Sequence, residues 1–405
     1  TLTVNSGNVV GQGKYHTIIS NSETSVVNVN GGTLKSEYDG DLVTIQISKG
    51  NLNITEGSFT SKYRCIQSAE DNVSGEITIT GGNFVATGGA KISYQAEPFY
   101  IAGGTLNITG GTFTGEKGEY SNAWGGQIGA NVTAKITGGT FTGDLMGLGI
   151  YNNITIDGAT IIGKEQVGLC NMDTGTVQIS NSNISSTEAD GIINNSTGAI
   201  ILKSGIKAAD GTVTLGVNEN PVNVSITTPS ITGGLNGVNI ASDATFNFYD
   251  GIIKGSTAKS IVGVVSNMPN GYAVKKTTAD DIETAILVAA NYAEYNARGT
   301  IVNYYATLGD AFSNSESEST IKPLANTVES VAANNLSGKT QTLDLNGKLI
   351  TMKNASINNR GTLSITGNGT IITTGANTFN NNGTLNITTT GGTIQNKSTE
   401  TYRIL

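Results

Sequence analysis

The chain has 405 residues, of which 54 are Gly, 5 are Pro and 13% are charged, and its formal net charge is −8. Gly, Asn, Thr and Ser crowd every stretch and are poor in helix interiors, so long helices are excluded and strands with turns must dominate. Lys and Arg number 23 against 31 Asp and Glu, with no basic cluster, which excludes the electrostatic footprint of a nucleic-acid binder. No apolar run reaches the length of a membrane span, so no membrane insertion is expected within this chain.

The first 267 residues repeat one pattern. "LNITGGTFTG" at 106–115 returns as "KITGGTFTG" at 135–143, and looser copies run along the chain. Aligned on two apolar positions five apart, the copies fall at Val4/Val9, Val29/Leu34, Ile54/Phe59, Ile79/Phe84, Ile108/Phe113, Ile136/Phe141, Ile156/Ile161, Ile179/Ile184, Ile201/Ile206, Ile226/Ile231 and Phe248/Ile253. These are eleven registrations at intervals of 20–29 residues, the drifting period of a solenoid with variable loops. Within a copy, "LNIT" alternates apolar and polar residues as a strand with one buried face must, "GG" supplies a sharp corner, and "TFT" is a second strand with one buried ring. A third short segment, such as "GIYNN" at 149–153 or "GIINN" at 191–195, completes a three-sided coil. The expected fold is all-β, a right-handed parallel β-helix of pectate-lyase-like architecture, because parallel crossovers are right-handed.

Asn152, Asn171, Asn194, Asn218 and Asn239 fall at a matching corner and read as an internal Asn ladder, against the simpler reading that Asn tolerates left-handed turns. Cys65 and Cys170 lie about four coils apart, roughly 19 Å at one strand spacing per coil, so both are expected to be free thiols.

The period fails after Ile253. Residues 268–296 read as a β-hairpin cap and linker, "YAVKKTT" pairing with "ETAILVA" over the open end of the coil. Residues 297–405 read as a second β-helix, introduced by a short helix with Thr307 as N-cap and Leu308, Ala311 and Phe312 as its apolar face. The acidic Ser-rich stretch after that helix reads as a mobile surface loop. The coil then resumes with register pairs Leu345/Ile350, Ile365/Ile371 and Ile387/Ile394. No signal-peptide pattern precedes Thr1, and the chain is expected to be a mature or excised piece whose native form continues beyond Leu405.

Chemistry is sparsely signalled. A glycosidase needs converging carboxylates, and a lyase needs a base beside acids that hold calcium. Asp39, Asp157, Asp190, Asp210 and Asp250 each precede Gly, the ordinary turn dipeptide, and His16 is the sole His. The reading is therefore of no enzyme, no metal and no cofactor. Aromatic residues carry more. Tyr15, Tyr38, Tyr63, Tyr94 and Tyr120 recur once per coil, and the two longest intervals add Phe99, Tyr100 and the only Trp, Trp124. Tyr38, Tyr63, Tyr94, Tyr100, Tyr120 and Trp124 form a candidate ligand-binding strip for sugar rings or a protein partner. The competing reading is that these rings pack beneath the long loops.

"ITGGTFTG", "FNFYDGIIKG" at 246–255 and "NYYATLGDAF…STIKPLANTVES…QTLDLNGKLIT" resemble the Gly-Gly-Thr-repeat β-helical surface proteins of Gram-positive gut bacteria, which are adhesin-like. The resemblance covers most of the chain and implies an exported protein attached to the bacterial cell surface; it supplies no catalytic residue. The function expected is that of a non-catalytic adhesin binding a host or dietary glycan or glycoprotein. A structural stalk or filament subunit with end-to-end self-association is the alternative, and a β-helix polysaccharide lyase or hydrolase the second.

Overall fold

Alternation dictates the first element of the architecture. In Thr112–Gly115 and Thr140–Gly143 every second side chain is buried, and the two strands pair in parallel with Phe113 opposite Phe141. A strand with one buried face finds its partner in the equivalent strand of the next coil, about 4.8 Å away, and the coil repeats. The structure, a computed structural model, describes residues 1–89, 96–118, 122–203, 205–207, 213–215, 225–374 and 379–397. It is a right-handed parallel β-helix, with 56% of residues in strands and one helix among the described residues. The chain divides into two units, Thr1–Met268 with Lys276–Ile286, and Pro269–Lys275 with Leu287–Leu405.

In the first unit one sheet carries two runs of each coil and a second sheet carries the third. Ile79, Ile108 and Ile136 are in register on neighbouring strands and fully buried. Phe59, Phe84, Phe113 and Phe141 stack along the interior at centroid distances of 4.4, 4.7 and 4.8 Å, nearly parallel. Each such ring contributes roughly 1.5–3 kcal/mol by burial, and stacking like on like fixes the register.

The repeated glycines answer separate demands. Gly139 has φ +100°, which an L side chain rarely adopts. A Cβ on Gly138 would strike the Thr109 carbonyl of the preceding coil, and one on Gly143 would land on the Met146 carbonyl across the next corner. The motif "TGGTFTG" is thus conformational at one glycine and steric at the other two.

Ten coils, rather than eleven, build the parallel stack among the described residues. Leu202, not Ile201, faces inward opposite Ile179 and Phe248. Ile184 pairs directly with Ile231, so the supposed coils at Ile201/Ile206 and Ile226/Ile231 are one coil. Between them lies an insertion in which Gly205–Lys207 pairs antiparallel with Val213–Leu215 and Ser225–Thr227. The adjacent apolar pair Ile201-Leu202 hides the phase of the alternation, and that is the origin of the slip.

The Asn ladder is shorter than the sequence suggests. Asn171 and Asn194 are paired, buried and joined by an Nδ2–Oδ1 bond of 3.0 Å. Ile150 occupies the ladder position before Asn171, and Ile240 the one after Asn194. Asn152 lies two residues beyond Ile150 and donates to the Ala130 and Val132 carbonyls instead. Asn239 is displaced by one residue, takes the opposite parity and donates to Asp190 at 2.8 Å. Asn218 lies outside the described residues. A longer ladder stands in the second unit, where Asn335 donates to Asn359 and Asn359 to Asn381, each at 2.7 Å.

The hairpin Tyr272–Ala279 with Ile282–Ala289 joins the end of the second sheet, the latter strand pairing antiparallel with Ile252–Gly255 and ending the parallel repetition. Glu283 fastens it by accepting from the Ser260 backbone N at 2.8 Å and its Oγ at 2.6 Å.

In the second unit Tyr292–Tyr295 pairs antiparallel on both sides before parallel coils begin. The helix Leu308–Asn314 starts at Thr307, whose hydroxyl accepts from Asp310 N, and it buries Leu308, Ala311 and Phe312. The stretch after it is held, not loose: Glu316 N donates to Glu294 at 2.7 Å, and Ser315 and Ser319 are buried. Leu343, rather than Leu345, stands opposite Ile365, while Ile350, Ile371 and Ile394 share one row as expected.

Candidate functional site

The site is built on the first run of the larger sheet. Gln46, Gln67, Tyr100, Gln127 and Gly149 stand in one register row on five successive coils. Their strand neighbours Ile45, Ile66, Phe99 and Ile128 fill the core, so the row belongs to the outer face. Corner residues reach toward it. The Arg64 guanidinium lies over two rings, 4.3 Å from the Tyr63 centroid and 4.4 Å from that of Tyr100. Such contacts are attractive because the ring face is electron-rich, and more so where water is excluded.

Arg64 also holds the polar groups. Its Nη1 donates to Gln67 Oε1 at 2.9 Å and its Nη2 to Glu97 Oε1 at 2.9 Å. The Gln127 amide nitrogen, in the orientation that satisfies both ends of the amide, donates to both Glu97 oxygens at 3.2 Å. Arg64 is 8% exposed and Glu97 wholly buried. Burial raises the Glu97 carboxyl to about 7, against the opposing pull of Arg64. Burial likewise raises the Tyr100 and Tyr151 hydroxyls, and the electrostatic neighbours of Tyr151 include Cys170, Glu97 and Tyr100. Chemically, the arrangement offers an immobilised aromatic edge beside uncharged amides.

Of the residues the sequence singled out, Tyr63 and Tyr100 are brought together by Arg64. Tyr38 is half-buried against Gly40, and Tyr15 is 80% exposed. Tyr94 and Tyr120 lie outside the described residues. Trp124 is not a surface ring: it is 7% exposed and packs with Leu145, Met146, Val167 and Cys170. Gly149 makes this possible, since its missing Cβ leaves the space the indole fills. Phe99 lies in the core, edge-on to Phe113 and Phe141.

Sequence reasoning missed Arg64, Glu97, Gln67, Gln127 and Tyr151. A signal exists for the amides, because Gln recurs beside inward apolar residues in "TIQIS", "CIQS" and "GGQIG". Two turn aspartates prove to be buried fasteners. Asp157 accepts from Ser180 Oγ at 2.7 Å, and Asp190 accepts from Asn236 and Asn239. Among the described residues no group of three or more His, Cys, Asp or Glu is placed to hold a metal ion, and no helix is long and apolar enough to cross a membrane. Comparison with known proteins returns no matching family model, no similar curated protein and no similar solved structure.

Proposed function

We propose that this chain is a non-catalytic, exported bacterial surface protein that binds a glycan or glycoprotein on the outer face bearing Tyr63, Arg64 and Tyr100. The observation that carries the reading is the contact of one guanidinium with both the Tyr63 and Tyr100 rings. It immobilises Tyr100 in the middle of a row of amides, and a ring already fixed loses little entropy when a sugar ring stacks on it. A non-catalytic role is favoured because both oxygens of Glu97 are engaged by neighbouring side chains. Cell-surface attachment in a Gram-positive organism rests on the resemblance of the repeats.

The test is a glycan array probed with the recombinant chain, with heat-denatured chain as control. Tyr100→Ala and Tyr63→Ala are expected to reduce binding about tenfold or more at unchanged far-UV circular dichroism, a loss of ring contact of the usual size. Binding that both variants retain would remove the site from the proposal.

A further inference from the structure

The site contains an arginine, and an exposed arginine beside aromatic rings ordinarily points to an acidic ligand. Here the geometry argues otherwise. Above about pH 7, where Glu97 is ionised, the charge of Arg64 is matched at 2.9 Å by a wholly buried carboxylate, and its second nitrogen is spent on Gln67. Two rings lie against the guanidinium, and its Nε finds no partner. Little of the cation is left to meet an anion.

The same pair fixes the polarity of the two amides. Because Gln67 Oε1 accepts from Arg64, its NH2 is the end left for a ligand. The Gln127 nitrogen donates to Glu97 and its oxygen faces donors in the same orientation, so this amide is committed within the protein. The two residues flank Tyr100 in the register row, one coil to either side, and both are part-exposed. A ligand stacked on Tyr100 thus meets one neutral donor, the Gln67 amide, and a cation whose charge is already matched. A hydroxyl accepts from that amide at little cost, whereas a carboxylate or sulfate gives up its hydration with no free counter-charge to replace it.

Resting on the glycan-binding reading above, we infer that the site selects neutral, hydroxyl-bearing glycans and discriminates against acidic ones, with Glu97 as the positioning residue that sets this preference. Glu97 acts through Arg64. Replacing it with the isosteric Gln keeps the shape and leaves Arg64 without a counter-charge.

The experiment uses probe pairs matched in size that differ in charge: methyl-esterified against de-esterified homogalacturonan, and the methyl ester of sialyllactose against sialyllactose, each on the full chain at pH 8 and at low and high salt. The wild type is expected to bind the neutral member of a pair more tightly, with little dependence on salt. Glu97→Gln is expected to shift the acidic-to-neutral preference about tenfold toward the acidic member, the scale of one charge-assisted bond, and to make its binding salt-sensitive. Should Glu97→Gln fail to fold by circular dichroism, Gln67→Leu supplies the second test by weakening the neutral probe, and unchanged affinity for that probe overturns the inference. Tighter binding of the acidic member by the wild type, or an unchanged preference in Glu97→Gln, overturns the inference while leaving the site intact. Binding of either probe that Tyr100→Ala does not affect, or no binding of any probe, overturns the glycan reading itself.

Discussion

Arg64 Nη2 meets Glu97 Oε1 at 2.9 Å, with Glu97 cut off from solvent altogether. A buried pair of this kind is costly to break, yet its carboxylate remains harder to ionise than one in water. Burial carries the Glu97 carboxyl from its ordinary 4.5 to about 7. Between those values the folded chain holds a proton that the unfolded chain has released. The stability this group contributes is therefore full below about 4.5 and is lost as pH rises toward 7. Urea unfolding of the wild type, compared with Glu97→Gln from acid to neutral pH, is expected to show a fall of the order of 3 kcal/mol in the difference between the two. Parallel curves would contradict the assignment.

The ladder in the second unit separates buried from exposed amides. Asn359 donates to Asn381 Oδ1 and to the Thr384 carbonyl, and accepts from Asn335, while its neighbour Asn358 makes an outer ladder with Asn334 and Asn380. Asn359→Ala is expected to cost about 2–3 kcal/mol, because it strands buried donors and acceptors. Asn358→Ala, on the solvent side, is expected to stay within about 0.5 kcal/mol. Denaturant midpoints of the two variants check the contrast.

Cys65 and Cys170 are both unpaired and buried, and burial raises each thiol, Cys170 to about 12. The thiolate is the reactive species, so neither is available at neutral pH. A chromogenic disulfide reagent is expected to find no reactive thiol in the native chain and two per chain in denaturant. Prompt labelling of the native protein would mean that the coils open locally around one of them.

Gly143 tests the steric half of the repeat. Its Cβ would land on the Met146 backbone, which cannot yield as a flexible side chain does, whereas nothing lies near a Cβ on Gly13. Gly143→Ala is expected to lose at least about 2 kcal/mol, and Gly13→Ala to change stability by no more than about 0.5 kcal/mol. Chemical unfolding at one fixed pH compares them.

Much of the architecture is local and was legible in the residues. The alternation through Ile79, Ile108 and Ile136, the corner glycines and the Thr307 cap each encode their geometry within a few positions, and the coil period follows from repeating them. Where two apolar residues adjoin, as at Ile201-Leu202, or two apolar positions compete, as at Leu343 and Leu345, the local pattern allows either phase and the stacked neighbours choose. The hairpin strands were legible from their own alternation, while their attachment through Glu283 and Ser260 was not.

By itself, then, the sequence determined that the chain winds as a parallel β-helix, because burying every second side chain on a repeating period leaves one way to pair the strands. Only the tertiary structure decided which outward residues meet. Arg64 and Glu97 are 33 positions apart, and Gln127 is further still. Their contact depends on the length of each intervening loop, which sets the register from coil to coil and carries no periodic signal of its own. The same dependence took Trp124 from the expected surface strip into the packing around Gly149, and left Tyr63 and Tyr100 facing one guanidinium.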